Sequence, residues 1–259
     1  MQRIAVVTGA SSGIGEATAR ALAARGWHCV LVARREDLLR KLADEIGGEV
    51  EVCDVSDRAA VEELAKRVIE RHPAIHVLVN NAGMPARGTF LKADLDLLER
   101  VIRVNYLGGV WCTRAFMPGL EAAAAQAGGA HIVNMVSVAG TVSFAPAGGY
   151  AASKHAQLAF SRSLAAALKG SGISVHSIMP GFVETEGFPQ KGVLKSRLML
   201  RFVIEAEDVA DAVVKAIEKN KAETVLPWFP YRLVGIAQAI VPGVVARFVG
   251  MSDYRQDKI

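Results

Sequence analysis

The sequence predicts an α/β fold: one domain built on a doubly wound parallel sheet of about seven strands, with helices on both faces. Three observations carry this. Short apolar runs alternate with longer helical stretches from the first residues onward. A glycine-rich turn, Thr8-Gly9-Ala10-Ser11-Ser12-Gly13-Ile14-Gly15, separates the first apolar run from the first helix. The chain has 259 residues and is 51% hydrophobic, enough for one large core and too apolar for general disorder.

Each element has its own signal. Arg3 to Thr8 is a short apolar run ending in glycine, the mark of a buried parallel strand. Ile14 to Arg25 is alanine-rich and helical, and Gly26 ends it. Trp27 to Ala33 is the second strand. Glu36 to Ile46 is the second helix, stopped by Gly47-Gly48, and Glu49 to Cys53 is the third strand. Asp57 caps a helix running to His72, where Pro73 enforces the stop. His76 to Asn80 is the fourth strand. A long helical stretch follows Asp94 and reaches about Gln126, with Gly108-Gly109 placed to disturb it. Ala130 to Ser137 is the fifth strand, and Tyr150 opens a helix that ends before Gly170. Ile173 to Met179 is the sixth strand, closed by Pro180-Gly181. A helix over 207–219 precedes a last strand around 224–226.

The formal net charge is +4, with the basic residues scattered, which argues for solubility and anionic ligands and against nucleic acid. Cys29, Cys53 and Cys112 are far apart and odd in number, as expected of reduced, buried thiols. The N-terminus enters a strand directly without a signal-peptide pattern, so a cytoplasmic protein is expected. The six histidines give no metal pattern in the sequence. His72 and His76 are four apart, but Pro73 lies between them.

Ligands of such sheets bind beyond the carboxyl ends of the strands, where Gly13, Asn81, Ser137 and Pro180 all fall. A glycine turn leading into a helix brings backbone N–H groups and a positive helix end to a phosphate. Glycine belongs where a Cβ would block that approach. An acid commonly follows the second strand, to bond the ribose 2′-OH of NAD. Here the place holds Arg34 and Arg35. A guanidinium matches a 2′-phosphate in charge and in paired donors, so the expected cofactor is NADP(H), with Arg34 the main contact and Arg35 the second.

Tyr150 and Lys154 are four apart and share one helix face. An ammonium beside a phenol favours phenolate, which makes Tyr150 a general acid for reducing a ketone or a base for oxidising an alcohol. Ser137, at a strand end, is placed to hydrogen-bond the substrate oxygen.

Taken together, Thr8-Gly9-x-x-x-Gly13-x-Gly15, Asp54-Val55, Asn80-Asn81-Ala82-Gly83, Asn105, Ser137, Tyr150-x-x-x-Lys154 and Pro180-Gly181-x-Val183-x-Thr185 resemble the short-chain dehydrogenase/reductase family over roughly residues 1 to 226. The resemblance implies a Rossmann-type fold. It implies that Gly9, Ser11, Ser12, Gly13, Ile14 and Gly15 form the turn around the cofactor, and that Asp54 binds the adenine amino group beside the Val55 backbone. Asn81, Ala82 and Gly83 would line the cofactor and steady the central strands. Asn105 would distort its helix and hold a water relaying protons from Lys154, while Lys154 also bonds the nicotinamide ribose. Pro180 and Gly181 lead to Val183 and Thr185, which would hold the carboxamide. Family members commonly form homodimers or homotetramers.

The expected activity is hydride exchange between NADP(H) and a carbonyl compound or secondary alcohol. The rival readings are a cofactor-binding sensor without turnover and a cofactor-retaining epimerase or dehydratase on the same fold. A lid is expected over residues 186–203, where Phe188, Val193, Leu194, Leu198, Met199, Leu200 and Phe202 suggest a lipophilic substrate. Val138, Phe144 and Met84 are expected as further apolar walls. Residues 227–259 form an apolar extension. It is too short and too broken by Pro242 to span a bilayer. Burial against a partner subunit or over the pocket is expected ahead of peripheral membrane contact.

Overall fold

The computed structural model describes residues 2–86, 93–126, 128–143, 147–186, 190 and 200–251. The first strand, β1 (Arg3–Thr8), is flanked by β2 (Trp27–Ala33) and β4 (Val77–Asn80). With β3 (Glu49–Val52), β5 (Ala130–Met135), β6 (Ile173–Pro180) and β9 (Glu223–Leu226), these strands form a seven-stranded, wholly parallel sheet in the order β3-β2-β1-β4-β5-β6-β9. The chain runs outward from β1 to β3, then restarts at β4 on the other side. A crevice therefore opens between the carboxyl ends of β1 and β4.

Strand alternation fills both faces of the sheet. Ala5, Val7, Leu31, Val77 and Val79 point to one side. They pack on α1 (Gly13–Ala23), α2 (Glu36–Ile46) and α7 (Ala206–Glu218), through Leu22, Leu39 and Val213 among others. Ile4, Val6, Val30, Val32 and Leu78 point to the other side. There they meet α3 (Arg58–Arg71) and α5 (Gly108–Ala124), through Leu64, Val68 and Phe116. Two of the predicted helix ends are closed by the residues expected there. Asp57 accepts the Ala59 and Ala60 amides at the head of α3, and Gly47 ends α2 in the left-handed region.

The long helix after Asp94 is three consecutive segments: α4 (Leu95–Ile102), a π-helical turn over Arg103–Leu107, and α5. The wide turn contains Asn105 and stands immediately before Gly108-Gly109. The fifth strand stops at Met135, short of the expected Ser137. Ser137 instead caps a 3₁₀ turn, Val138–Gly140, by accepting the Ala139 amide. That turn packs on α6 (Gly148–Ala167). A second, two-stranded parallel sheet, β7 (Val183–Glu184) with β8 (Ile204–Glu205), was not foreseen, because two-residue strands carry no periodicity. All three cysteines are buried free thiols. Burial raises Cys29 and Cys112 to about 12 and Cys53 to about 11.

The apolar extension folds as α8 (Trp228–Ile240) and α9 (Pro242–Met251). Tyr231 reaches inward, while Trp228, Phe229, Leu233, Ile236 and Ile240 are exposed. Among the described residues no helix is long and apolar enough to cross a membrane.

Close approach of α1 to β1 is built on Gly15, where a Cβ would overlap the Gly9 carbonyl and the Asn81 side chain. Gly15→Ala should lower unfolding stability by at least about 1–3 kcal/mol in urea titration. An unchanged midpoint and slope would show that α1 can move away freely.

Candidate active site

A cleft of about 530 Å³ opens at the carboxyl ends of β1, β2, β4, β5 and β6. Every residue singled out from the sequence as catalytic or cofactor-binding lines it, except Gly15 and Asn105. Gly15 lies behind the wall, in the contact of α1 with β1. Asn105 lies behind the Gly83–Met84 backbone.

At one end the turn from β1 to α1 is fixed by Thr8. Its hydroxyl donates to the Val79 carbonyl and accepts the amides of Asn81 and Ala82, and Asn81 Nδ2 donates back to the carbonyls of Thr8 and Gly9. These bonds tie the glycine turn to the end of β4. Gly9 has φ +67° and Gly13 φ +59°, conformations that only glycine adopts without strain. A Cβ on Gly13 would stand 3.1 Å from Thr185 Cγ2, closing the space above the start of α1.

Beyond the turn, Arg35 donates to Ser11 Oγ at 3.1 and 3.2 Å and to Ser12 Oγ at 2.5 Å. Arg34 Nη1 stands 3.7 Å from Asp54 Oδ2. Asp54 Oδ1 accepts the amide and hydroxyl of Ser56. Desolvation raises the Asp54 pKa, but the Ser56 bonds and the nearby guanidinium outweigh it and hold the carboxyl below its ordinary value. This end is therefore a cationic rim beside a fixed carboxylate. Two facing arginines, a positive helix start and an open glycine turn fit the anionic half of a dinucleotide.

The other end is formed by α6 and the turn after β5. Tyr150 and Lys154 line the cleft one helical turn apart, with Lys154 Nζ 5.8 Å from the centre of the Tyr150 ring. Lys154 is 3% exposed, and its Nζ donates to the Met135 carbonyl at 2.7 Å and to Gln157 Oε1 at 2.9 Å. Desolvation lowers its pKa from 10.5 to about 7, whereas the two acceptors favour the ammonium. Ser137 Oγ contacts the Pro180 carbonyl at 3.4 Å, drawing the ends of β5 and β6 together. Asn105 Oδ1 accepts the Met84 amide at 2.8 Å, and its Nδ2 donates to the Met84 carbonyl and to Ser153 Oγ. Asn105 thus braces the loop after β4 against α6.

Apolar walls flank this end. Met84 and Val138 were expected there. Pro85, Ala86, Phe182 and Tyr231 were not. Tyr231 meets Phe182 and Phe202 edge to face, and a Cβ on Gly181 would run into its ring. The Trp228-Phe229-Pro230-Tyr231 cluster was the available sequence signal, but only the fold shows which of its rings turns inward. The expected wall residue Phe144 lies outside the described residues, as do the lid residues Phe188, Lys191, Val193, Leu194, Lys195, Arg197, Leu198 and Met199.

A cleft at the strand-order reversal, with a glycine turn at one end and a buried lysine beside a tyrosine at the other, defines a nucleotide-binding α/β protein. Residues 3–192 match the profile of the short chain dehydrogenase family. An uncharacterized oxidoreductase of Mycobacterium tuberculosis is 48% identical over 185 residues, 71% of each chain. A solved short chain dehydrogenase/reductase from Burkholderia phymatum, in complex with NAD, is 30% identical, with TM-score 0.80 over 92% of this chain and 95% of that one. An alcohol dehydrogenase from Thermococcus sibiricus, complexed with 5-hydroxy-NADP, is 29% identical, with TM-score 0.76 over 87% of this chain and 96% of that one. The chain belongs to the short-chain dehydrogenase/reductase family of oxidoreductases.

Burial pulls the Lys154 pKa down to about 7 in the fold, while the same amine stays charged up to about pH 10 in the unfolded chain, so keeping that charge makes folding less favourable at the acid end of that window. Between pH 7 and 10 the unfolded state binds more protons, so stability rises with pH. Relative to Lys154→Met, the wild type should gain about 1–3 kcal/mol of unfolding free energy between pH 6 and pH 10. Parallel pH profiles for the two proteins would mean that this amine is not desolvated.

Proposed function

We propose that the protein is an NADP(H)-dependent oxidoreductase that moves hydride between the nicotinamide and a lipophilic carbonyl compound or secondary alcohol. The observation that carries this reading is the convergence of Ser137, Tyr150 and Lys154 on the cleft whose far end is the glycine turn. The bound nicotinamide supplies or accepts the hydride. The residues of the chain supply position, charge and the proton.

The Tyr150 phenol gives its proton to the carbonyl oxygen in reduction and takes it back in oxidation. Charge on Lys154 favours the phenolate and so eases that transfer. The Ser137 hydroxyl hydrogen-bonds the same substrate oxygen and orients it. Asn105 supports proton exchange with solvent from behind the Met84 backbone. At the cationic end, Arg34 and Arg35 pair with the 2′-phosphate, and Ser11 and Ser12 add hydroxyl donors. Asp54 and Val55 hold the adenine, Asn81 to Gly83 line the centre, and Pro180 to Thr185 hold the carboxamide. The apolar walls favour a hydrophobic substrate, with residues 186–203 as the lid. The exposed apolar side of α8 fits contact with a second copy of the chain in a homodimer or homotetramer, ahead of contact with a membrane surface.

Tyr150→Phe should reduce kcat/KM for NADPH-dependent reduction by about 10²–10⁴-fold while NADPH binding, read by fluorescence quenching, stays within about twofold. A variant as active as the wild type would remove Tyr150 from proton transfer. The wild type should also prefer NADPH to NADH in kcat/KM, and the double change Arg34→Ala, Arg35→Ala should cut that preference by about 10–100-fold. Equal use of the two cofactors by the wild type would defeat the assignment of these arginines.

A further inference from the structure

The end of the sheet opposite the cleft carries a second cluster of chemically competent side chains. His28 is the second residue of β2, Glu49 opens β3, and His72 ends α3. They are 21 to 44 residues apart in sequence, and folding brings them together. Glu49 Oε1 lies 2.8 Å from His28 Nε2 and 2.8 Å from His72 Nε2. The three ligand-capable atoms all lie within 4.8 Å of one another. The His28 and His72 side chains are only 16% and 15% exposed, while Glu49, at 31%, leaves one side open to water. The proposed chemistry of the cleft uses none of the three.

We infer that His28, Glu49 and His72 form a binding site for a divalent transition-metal ion of the zinc type. The two imidazole Nε2 atoms and one Glu49 oxygen are the protein ligands, and water completes the shell. The donor set decides the class of ion. Two imidazoles and one carboxylate suit zinc and its neighbours, whereas magnesium and calcium require oxygen shells.

The geometry is close to what such an ion needs. Ligand bonds of about 2.0–2.1 Å place tetrahedral donors about 3.3 Å apart, so each 2.8 Å contact has to widen by about 0.5 Å. Rotation of the partly exposed Glu49 side chain supplies that movement. The two imidazole ligand atoms, within 4.8 Å of each other, have to reach the same spacing by side-chain rotation, while the pairing of His28 with Ile4 and of Glu49 with Val30 holds the backbones.

The surroundings are ordered in the manner of an outer shell. Arg71 Nε holds Glu49 Oε2 at 3.2 Å, which aims Oε1 at the imidazoles. Arg71 Nη2 also holds Glu51 Oε1 at 2.5 Å, and Arg67 Nη2 holds Glu51 Oε2 at 2.9 Å. The nearby guanidiniums oppose an incoming cation, so the site is weaker than a closed structural zinc site. His28 precedes Ala33, at the cleft end of the same strand, by five residues, or about 16 Å at the rise of a parallel strand. The ion therefore ties β2, β3 and α3 together and takes no part in hydride transfer. This inference does not depend on which substrate or cofactor the cleft takes.

The test uses the full-length, tag-free protein stripped of metal with a chelator. Calorimetric titration with zinc chloride should give one site per chain, and about 100-fold excess over the dissociation constant should raise Tm by about 5 °C. His28→Gln and His72→Gln should each weaken binding at least tenfold, while His76→Gln, outside the cluster, should leave it unchanged. X-ray absorption of the zinc complex of the wild type needs no substitution and so covers the case in which a variant misfolds. It should show two imidazoles, light oxygen ligands and no sulfur. No stoichiometric uptake, uptake that survives in the His28→Gln, His72→Gln double variant, or a shell containing sulfur would overturn the assignment.

Discussion

The site depends on a primary amine placed where water cannot solvate it. Lys154 lies on the buried face of α6 with its Nζ held between the Met135 carbonyl and Gln157 Oε1. Desolvation pulls the amine toward neutrality, and the two acceptors pull it toward the ammonium. Such a group changes charge with little perturbation, which suits a residue placed beside the phenol proposed above to give up and regain a proton. The packing that seals it is specific. A Cβ on Gly140 would stand 2.9 Å from the Lys154 carbonyl oxygen and 2.8 Å from Val136 Cγ1, so the 3₁₀ turn carrying Ser137 rests directly on the α6 backbone. Burying the amine and positioning the Ser137 hydroxyl are one structural event.

Topology does the remaining positioning. Because the chain reverses its direction of travel across the sheet between β1 and β4, the loops after β1 and β4 diverge and leave a floor between them. Thr8 and Asn81 join the two loops at that floor through side-chain bonds to backbone groups, so the glycine turn cannot drift from the end of β4. Further along, a buried polar chain runs from Thr113 through Asn80 and Asn134 to Ser161 and Ser177, linking β4, β5 and β6 to α5 and α6. These side-chain bonds join the strand ends to the two helices, although Asn80 Oδ1 itself is buried without a hydrogen-bond partner among the described residues.

Much of this was legible in the sequence. The strands of a doubly wound sheet are short apolar runs bounded by turn residues, so β1, β2 and α2 read directly and their limits agree with the fold. The positions lining the cleft were legible because Gly9 and Gly13 stand in a glycine-rich turn that needs positive φ, and because Tyr150 and Lys154 are separated by one helical turn. Four things were not legible, each for a physical reason. The β7–β8 pair is too short for a periodic signal. The inward turn of Tyr231 depends on how α8 leaves β9, which no local pattern encodes. The meeting of His28, Glu49 and His72 comes from neighbouring strand starts and a helix end, so sequence spacing says nothing of it. The proximity of Arg35 to Ser11 and Ser12, with Arg34 turned toward Asp54, likewise depends on side-chain directions that the order Arg34-Arg35 leaves open.

In the function proposed above, hydride passes directly between the cofactor and a carbon of the substrate. The most direct measurement follows a deuterium label placed on the transferring face of C4 of the reduced cofactor, during incubation with a panel of lipophilic ketones and aldehydes. The account predicts deuterium on the carbinol carbon of the product, with one oxidised cofactor formed for each alcohol. Label retained on the cofactor across the whole panel, or product formed without net cofactor oxidation, would contradict it.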